Sequence, residues 1–197
     1  MITLEEAIEL ATLAHQNQWR KAVDATIEEY EMPRKETLIH GEDYILENGK
    51  HLFEENGIFR IDEPYITHPL AVMEMMSTDE EKIIAVLHDA IEDTDYRLHP
   101  RLKAVYTCGH PGYWICRDKN SIDTAIDGRL NGKMWESLHI LTKSRDQSYL
   151  EYIGAISNNK IATKIKIADI THNLSDNPSE HAKAKYLKAM PILLKAL

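Results

Sequence analysis

The stretch IIAVLHDAIEDT, residues 83–94, joins an apolar run to a cluster of ionisable side chains. Its first five residues, 83–87, are apolar enough to predict a buried helix. His88, Asp89 and Glu92 follow at three- and four-residue spacing, so on a continuing helix they would project from neighbouring positions on one face. Burying ionised carboxylates without a partner costs several kcal/mol each, and a divalent cation is a natural partner. The plainer interpretation is the solvated end of an amphipathic helix.

Two further motifs supply residues of the same chemical kind: His68 in YITHP and Asp169 in KIADITHNL. Together with His88 and Asp89 they make two imidazoles and two carboxylates. This nitrogen and oxygen donor set suits Mn, Fe, Zn or Co better than a thiolate site would. Alone, a histidine before proline is typical of helix entry or packing, and Asp169 can equally bond to Lys166 or to a neighbouring helix. The four positions together predict a metal-dependent hydrolase.

Length and composition favour one compact domain. The chain has 197 residues, 43% of them hydrophobic and 28% charged, and it contains neither a secretory signal nor an 18-residue apolar run. Two cysteines, Cys108 and Cys116, are too few for a disulfide framework. We therefore expect a soluble, cytoplasmic protein that does not bind membranes.

The charge distribution argues against nucleic-acid binding. The formal net charge is −9, whereas a nucleic-acid backbone requires a basic face. Residues 22–63 hold 12 acidic and 4 basic side chains, a local net charge of −8. We interpret this segment as an acidic insertion, and the rest of the chain, which is close to neutral, can still receive a small anionic substrate.

Helical spacing dominates the remainder of the chain, which predicts an all-α fold. Capping-box patterns at Thr3 and Thr78 mark two helix starts, and the first helix is expected to end near Trp19, Arg20 and Lys21. The insertion has two Asn-Gly steps, which favour one or two small β-hairpins, although its first part can equally be helical. A long irregular connection is predicted for 99–133. Four more helices follow, with Pro191 able to interrupt the last: 135–141, 148–157, 161–174 and 181–197.

The motifs AHQNQWRK, PYITHP, LHDAIEDT, LTK and KIADITHNL, in this order, resemble the HD-domain hydrolases of the alarmone type, the hydrolase part of the Rel and SpoT proteins and their small stand-alone relatives. The resemblance runs from about Ala11 to Leu174. It implies an all-helical HD bundle that holds one divalent ion, usually Mn²⁺. The implied metal ligands are His68, His88, Asp89 and Asp169.

The same resemblance implies roles for other residues. Glu92 and Asp93 would orient or activate the attacking water. Arg20 and Lys21 would contact the base or phosphates of a nucleotide, and Asn173 its sugar region.

The chemistry of these groups agrees with phosphoester hydrolysis. A bound cation lowers the pKa of its water and neutralises charge on a phosphoryl oxygen, while Glu92 or Asp93 can accept a proton. For guanosine 3',5'-bis(diphosphate), the alarmone ppGpp of the stringent response, the products would be pyrophosphate and a 5' nucleotide. Lys143, Lys164 and Lys166 can help to balance such an anionic ligand, although solvated helix faces are the plainer interpretation.

Three alternatives remain at this point. The leading expectation is a small stand-alone alarmone pyrophosphohydrolase. A second is an HD phosphohydrolase for another nucleotide or for a nicotinamide-cofactor phosphate. A third is a non-catalytic nucleotide-binding module that keeps the metal site.

The chain also departs from the family pattern. In this chain 42 residues lie between Lys21 and Pro64, where the family has only a few. The glycine expected soon after the Arg-Lys pair is absent. The 99–133 connection is longer than usual, and its Cys108, His110 and Cys116 match no common zinc spacing. His15 and His172 are expected in packing and in hydrogen bonds that orient metal ligands.

Overall fold

A computed structural model describes residues 1–15, 18–24, 44–45, 51–55, 58–91, 125–126, 128–144 and 146–197. The chain divides into two compact units. The first comprises Met1–Ala14 and His68–Leu197, and the second comprises His15–Thr67. The described residues are mostly helical, in agreement with the predicted class, and strands occur only in the second unit.

Seven helices lie in the described part of the chain: α1 (Leu4–Ala14), α2 (Thr67–Glu74), α3 (Asp79–Leu87), α4 (Gly132–Leu141), α5 (Tyr149–Ile156), α6 (Lys160–Ser175) and α7 (Glu180–Lys195). The four C-terminal helices lie where their apolar spacing predicts them. Helix α7 continues through Pro191 instead of being interrupted there. Both predicted capping boxes are present, because the Thr78 hydroxyl accepts from the Glu81 amide and the Thr3 hydroxyl from the Glu6 amide.

Helix α3 lies at the centre of the first unit, where it contacts α1, α4 and α6. Ile84 and Leu87 of α3 are fully buried, as are Leu10 of α1, Leu138 of α4 and Ile165 of α6. Burying one such side chain stabilises the fold by roughly 1.5–3 kcal/mol. Because residues 83–87 are buried, the two residues that follow them, His88 and Asp89, lie next to the core.

The second unit contains a four-stranded antiparallel sheet with the order β1-β4-β3-β2. Its strands are β1 (Trp19–Asp24), β2 (Tyr44–Ile45), β3 (His51–Glu55) and β4 (Ile58–Pro64). Glu55 faces Ile58 across β3 and β4, so the hairpin pairing predicted around the second Asn-Gly step is confirmed. The possible helix at 25–31 lies outside the described residues.

The predicted end of the first helix is wrong. Helix α1 ends at Ala14, and Trp19, Arg20 and Lys21 lie in β1, where Trp19 pairs with Pro64 and Arg20 with Glu63. The sequence between the two elements is His-Gln-Asn-Gln, which adds no apolar residue to the helical stripe, whereas the strand can pair along its length with β4. Tertiary pairing therefore outweighs the local helical spacing.

The described helices include none with both the length and the apolar character needed to cross a membrane.

Candidate metal centre

The four predicted ligands lie on α2, on α6, and at the C-terminal end of α3 and in the turn that follows it. His68 is the second residue of α2 and is followed by Pro69, as expected for a helix entrance. His88 is the C-cap of α3, Asp89 follows it in a turn, and Asp169 lies within α6. The expectation that one helix carries His88 through Glu92 is wrong, since α3 ends at Leu87 and residues 88–91 form turns.

The donor atoms of these side chains converge. His68 Nε2 lies 3.1 Å from Asp169 Oδ1 and 3.5 Å from Asp89 Oδ2. His88 Nε2 lies 3.1 Å from Asp89 Oδ1 and 3.9 Å from Asp169 Oδ1. Donors held about 2.1 Å from one ion at right-angled or tetrahedral positions lie roughly 3.0–3.4 Å apart. Three of the four separations match this spacing closely, and the His88–Asp169 separation is longer.

Three of the four side chains of the cluster are buried, and one buried donor atom among them makes no hydrogen bond. His68, His88 and Asp169 are almost fully buried, with exposed fractions of 1%, 2% and 4%, whereas Asp89 is half-buried. Among the described residues, His88 Nε2 makes no hydrogen bond. A buried polar atom left in this state costs about 1–3 kcal/mol. A divalent cation would supply the missing interaction, so the residues fit a metal.

The Nδ1 atom of each imidazole also has a hydrogen-bond partner. His88 Nδ1 lies 2.7 Å from the Ala85 carbonyl oxygen, which can only accept, so Nδ1 carries the proton and the Nε2 lone pair faces the cluster. His68 Nδ1 lies 2.9 Å from His172 Nδ1. When His68 Nε2 serves as a ligand, His68 Nδ1 is the donor in this bond. His172 therefore lies where a residue that orients His68 is expected.

Asp169 is held by two further side chains of α6. Lys166 Nζ lies 2.7 Å from Asp169 Oδ2, and the Asn173 amide donates to Asp169 Oδ1 at 2.5 Å. Burial opposes ionisation of Asp169, but the Lys166 cation and the neighbouring His68 and His88 imidazoles outweigh it and hold the Asp169 pKa well below its usual range. Burial also disfavours the Lys166 cation, yet Asp169 and Tyr152 raise the Lys166 pKa above its ordinary value. Asp169 thus bonds to Lys166 through Oδ2 and faces the histidines with Oδ1.

The Lys166–Asp169 pair gives a stability prediction. Replacing Lys166 with methionine leaves a buried carboxylate without its main cationic partner, and we expect a loss of about 3 kcal/mol from the free energy of unfolding of the metal-free protein. The low Asp169 pKa stabilises the fold above the pKa of an unfolded aspartate, about 3.9, and this contribution fades as the pH falls further. The difference in free energy of unfolding between the parent and Lys166→Met should therefore persist from about pH 5 to 8 and become smaller only below about pH 4.

Urea denaturation of the metal-free variants measures this deficit. Lys166→Arg keeps the charge and is the matched control. Adding Asp169→Asn to Lys166→Met should recover part of the loss, because no uncompensated carboxylate remains. If the double variant loses as much free energy of unfolding as Lys166→Met alone, the effect of Lys166 is due to packing alone.

The other predicted substrate residues lie in different places. Arg20 and Lys21 belong to strand β1 of the second unit. Lys143 follows α4 and donates to the Ser144 carbonyl oxygen at 2.9 Å. Lys164 forms an ion pair with Glu81 at 2.5 Å, so its cation already has a partner. The catalytic residues predicted from the family resemblance and the cysteines of the connection lie outside the described residues: Glu92, Asp93, Cys108 and Cys116, together with His110.

The sequence did not single out two tyrosines of α5, Tyr149 and Tyr152, of which Tyr152 lies beneath Lys166. The Tyr152 ring is 5.2 Å below Lys166 Nζ, and the Tyr152 hydroxyl donates to the Leu141 carbonyl oxygen at 2.5 Å. The Tyr149 ring centroid is 6.2 Å from that of Tyr152. Their three-residue spacing on a helix was the available signal, but such aromatic pairs more often serve packing.

No protein-family model matches this chain, and no curated protein is significantly similar to it. Its function must therefore be inferred from the centre itself.

Proposed function

We propose that this chain is a metal-dependent phosphohydrolase of the HD type that removes pyrophosphate from the 3' position of guanosine 3',5'-bis(diphosphate). The ion, Mn²⁺ by the family resemblance, would be held by His68, His88, Asp89 and Asp169. One observation carries the proposal: His68, His88 and Asp89 offer donor atoms that lie within 4.8 Å of one another, with Asp169 Oδ1 3.1 Å from His68 Nε2, and His88 Nε2 is buried there without a hydrogen bond.

A divalent ion bound there would lower the pKa of its water and neutralise charge on a phosphoryl oxygen. The protein groups prepare the site for this chemistry. The Ala85 carbonyl fixes the His88 ring, His172 fixes the His68 ring, and Lys166 keeps one oxygen of Asp169 away from the histidines. The lowered pKa of Asp169 favours its ionised form, which a metal ligand needs.

The remaining steps follow the family resemblance. Glu92 or Asp93 would accept the proton of the attacking water. Water attacks the phosphorus attached to the 3' oxygen, and the bond between that oxygen and phosphorus breaks. The 3' oxygen takes up a proton, so the products are guanosine 5'-diphosphate and pyrophosphate. Lys143, Arg20, Lys21 and Asn173 remain the proposed contacts to the nucleotide.

The test is hydrolysis of a nucleotide panel by the full chain, first freed of metal and then reloaded with Mn²⁺. We expect pyrophosphate from guanosine 3',5'-bis(diphosphate), and no turnover by the metal-free protein. Orthophosphate released only from a phosphorylated nicotinamide cofactor would assign the second substrate class. Tight Mn²⁺ and nucleotide binding without any product would contradict the enzyme and favour a binding module.

A further inference from the structure

The two carboxylates of the centre face the histidines in different ways. Both oxygens of Asp89 lie near an imidazole nitrogen, since Oδ1 is 3.1 Å from His88 Nε2 and Oδ2 is 3.5 Å from His68 Nε2. The closest approach of Asp169 to each of these nitrogens is through Oδ1, at 3.1 Å from His68 Nε2 and 3.9 Å from His88 Nε2. Asp169 Oδ2 lies 2.7 Å from Lys166 Nζ. Asp169 therefore turns one oxygen to the histidines and the other to a cation.

The Lys166 ammonium group is itself fixed beside Oδ2. Lys166 precedes Asp169 by three residues on α6, so the two side chains are neighbours on the helix surface. Lys166 Nζ also lies 5.2 Å from the centroid of the Tyr152 ring, within the range of a cation–π contact. The Tyr152 hydroxyl donates to the Leu141 carbonyl oxygen, which fixes the ring. The ammonium group therefore has two contacts, to Oδ2 and to the Tyr152 ring, that keep it in place.

The position of Lys166 decides how Asp169 can bind a divalent ion. A carboxylate binds a metal through one oxygen or through both. Because Oδ2 is 2.7 Å from Nζ, an ion bonded to Oδ2 at about 2.0–2.2 Å would lie within about 5 Å of the ammonium group. Two cations this close in a buried site repel each other strongly. The ion pair therefore opposes binding through both oxygens and favours binding through Oδ1, which faces the histidines.

We propose that Lys166 is a positioning residue that makes Asp169 bind the ion through Oδ1 alone. This inference rests on the metal centre of the proposed function. A carboxylate that binds through both oxygens fills one more coordination position of the ion. Catalysis of phosphoester hydrolysis needs open positions, for water and for a phosphoryl oxygen. By holding Oδ2, Lys166 keeps one such position open.

The experiment counts the water molecules on bound Mn²⁺ and does not require turnover. The full-length parent and Lys166→Met, both loaded with Mn²⁺, are compared by the broadening of Mn²⁺ EPR lines in water enriched in a magnetic oxygen isotope. Without the Lys166 cation, Oδ2 can also bind the ion, so we expect about one bound water fewer in Lys166→Met. Mn²⁺ should bind to this variant at least about tenfold more tightly, because a repelling charge is lost and a buried carboxylate oxygen gains a partner.

Two further variants are controls. Lys166→Arg keeps the charge beside Oδ2 and should keep the parent's number of bound waters. Lys160→Met removes the same charge from the exposed first residue of α6. We expect Lys160→Met to leave the water number unchanged and the Mn²⁺ affinity within about threefold of the parent, because solvent and salt screen an exposed charge.

A Lys166→Met protein with the parent's number of bound waters would overturn the inference and leave Lys166 with a structural role only. A crystal structure of the Mn²⁺-loaded parent is a second test that needs no variant. Asp169 Oδ1 should contact the ion while Oδ2 stays bonded to Lys166, and an ion bonded to both oxygens overturns the inference. The enzymatic proposal fails separately, if the parent releases no pyrophosphate although Lys166→Met loses a bound water. A parent that binds no Mn²⁺ would overturn both.

Discussion

Replacing His88 with alanine is expected to remove metal binding and turnover together. The Ala85 carbonyl directs the His88 Nε2 lone pair into the cluster, and the described residues offer that atom no hydrogen bond. Losing a residue that only orients a ligand costs about 10- to 100-fold in metal affinity, so losing the ligand itself should cost at least about 100-fold. If the ion contributes about 4 kcal/mol to the transition state, turnover should fall by about 10³-fold.

Isothermal titration of metal-free protein with Mn²⁺ measures the affinity. Thermal unfolding gives a second readout: at a metal concentration 100 times the dissociation constant, the parent should gain about 2.7 kcal/mol, and His88→Ala should gain almost nothing. His181→Ala is the control, because His181 is exposed at the second position of α7. A His88→Ala protein that bound Mn²⁺ as tightly as the parent would refute the assignment of this centre.

The chemistry of the centre was more predictable from the sequence than its geometry. Imidazole and carboxylate residues are visible in any sequence, and the apolar run of residues 83–87 indicated that His88 and Asp89 would lie near a core. The structure agrees, since α3 is central and both histidines are buried. Donors from distant motifs can approach one another only if the segments that carry them come together in the fold, and no local pattern specifies that arrangement.

Several details of the structure that the local motifs did not specify depend on where the rest of the chain lies. The His68–His172 bond spans 104 residues, so neither motif shows that the two rings meet. Helical spacing favoured a longer α1, but pairing between Trp19 and Pro64 places residue 19 in a strand. Helix α3 ends one residue before His88, so the one-face argument that linked this histidine to Glu92 does not hold.

The sequence allowed two interpretations of Asp169, an ion pair with Lys166 and a metal ligand, and the two are compatible. Oδ2 is bonded to Lys166, as the structural interpretation required, while Oδ1 faces His68, as the metal interpretation required. A carboxylate has two oxygens, so a structural ion pair and a metal ligand can share one residue. The ion pair also keeps Asp169 charged, which a metal ligand needs.

Glu92→Gln is expected to separate metal binding from catalysis. The side chain keeps its size but loses its negative charge and, with it, the ability to accept a proton. General-base catalysis contributes about 10²- to 10⁴-fold, so kcat should fall within that range if Glu92 accepts the proton of the attacking water. Metal affinity should stay within about threefold of the parent, because Glu92 is not among the four proposed ligands and a lost ligand-orienting contact would cost at least about tenfold.

Asp93→Asn is the matched variant, since the resemblance assigns both carboxylates to the same water. A large kcat loss in one variant and a small one in the other identifies the base and leaves an orienting role for its neighbour. The pH profile gives an independent check, because the acidic limb of kcat reports the pKa of the base and should disappear in the variant that lacks it. If both variants hydrolyse the nucleotide like the parent, the proton acceptor lies elsewhere and the roles inferred from the family resemblance are wrong, even if His88→Ala confirms the metal centre.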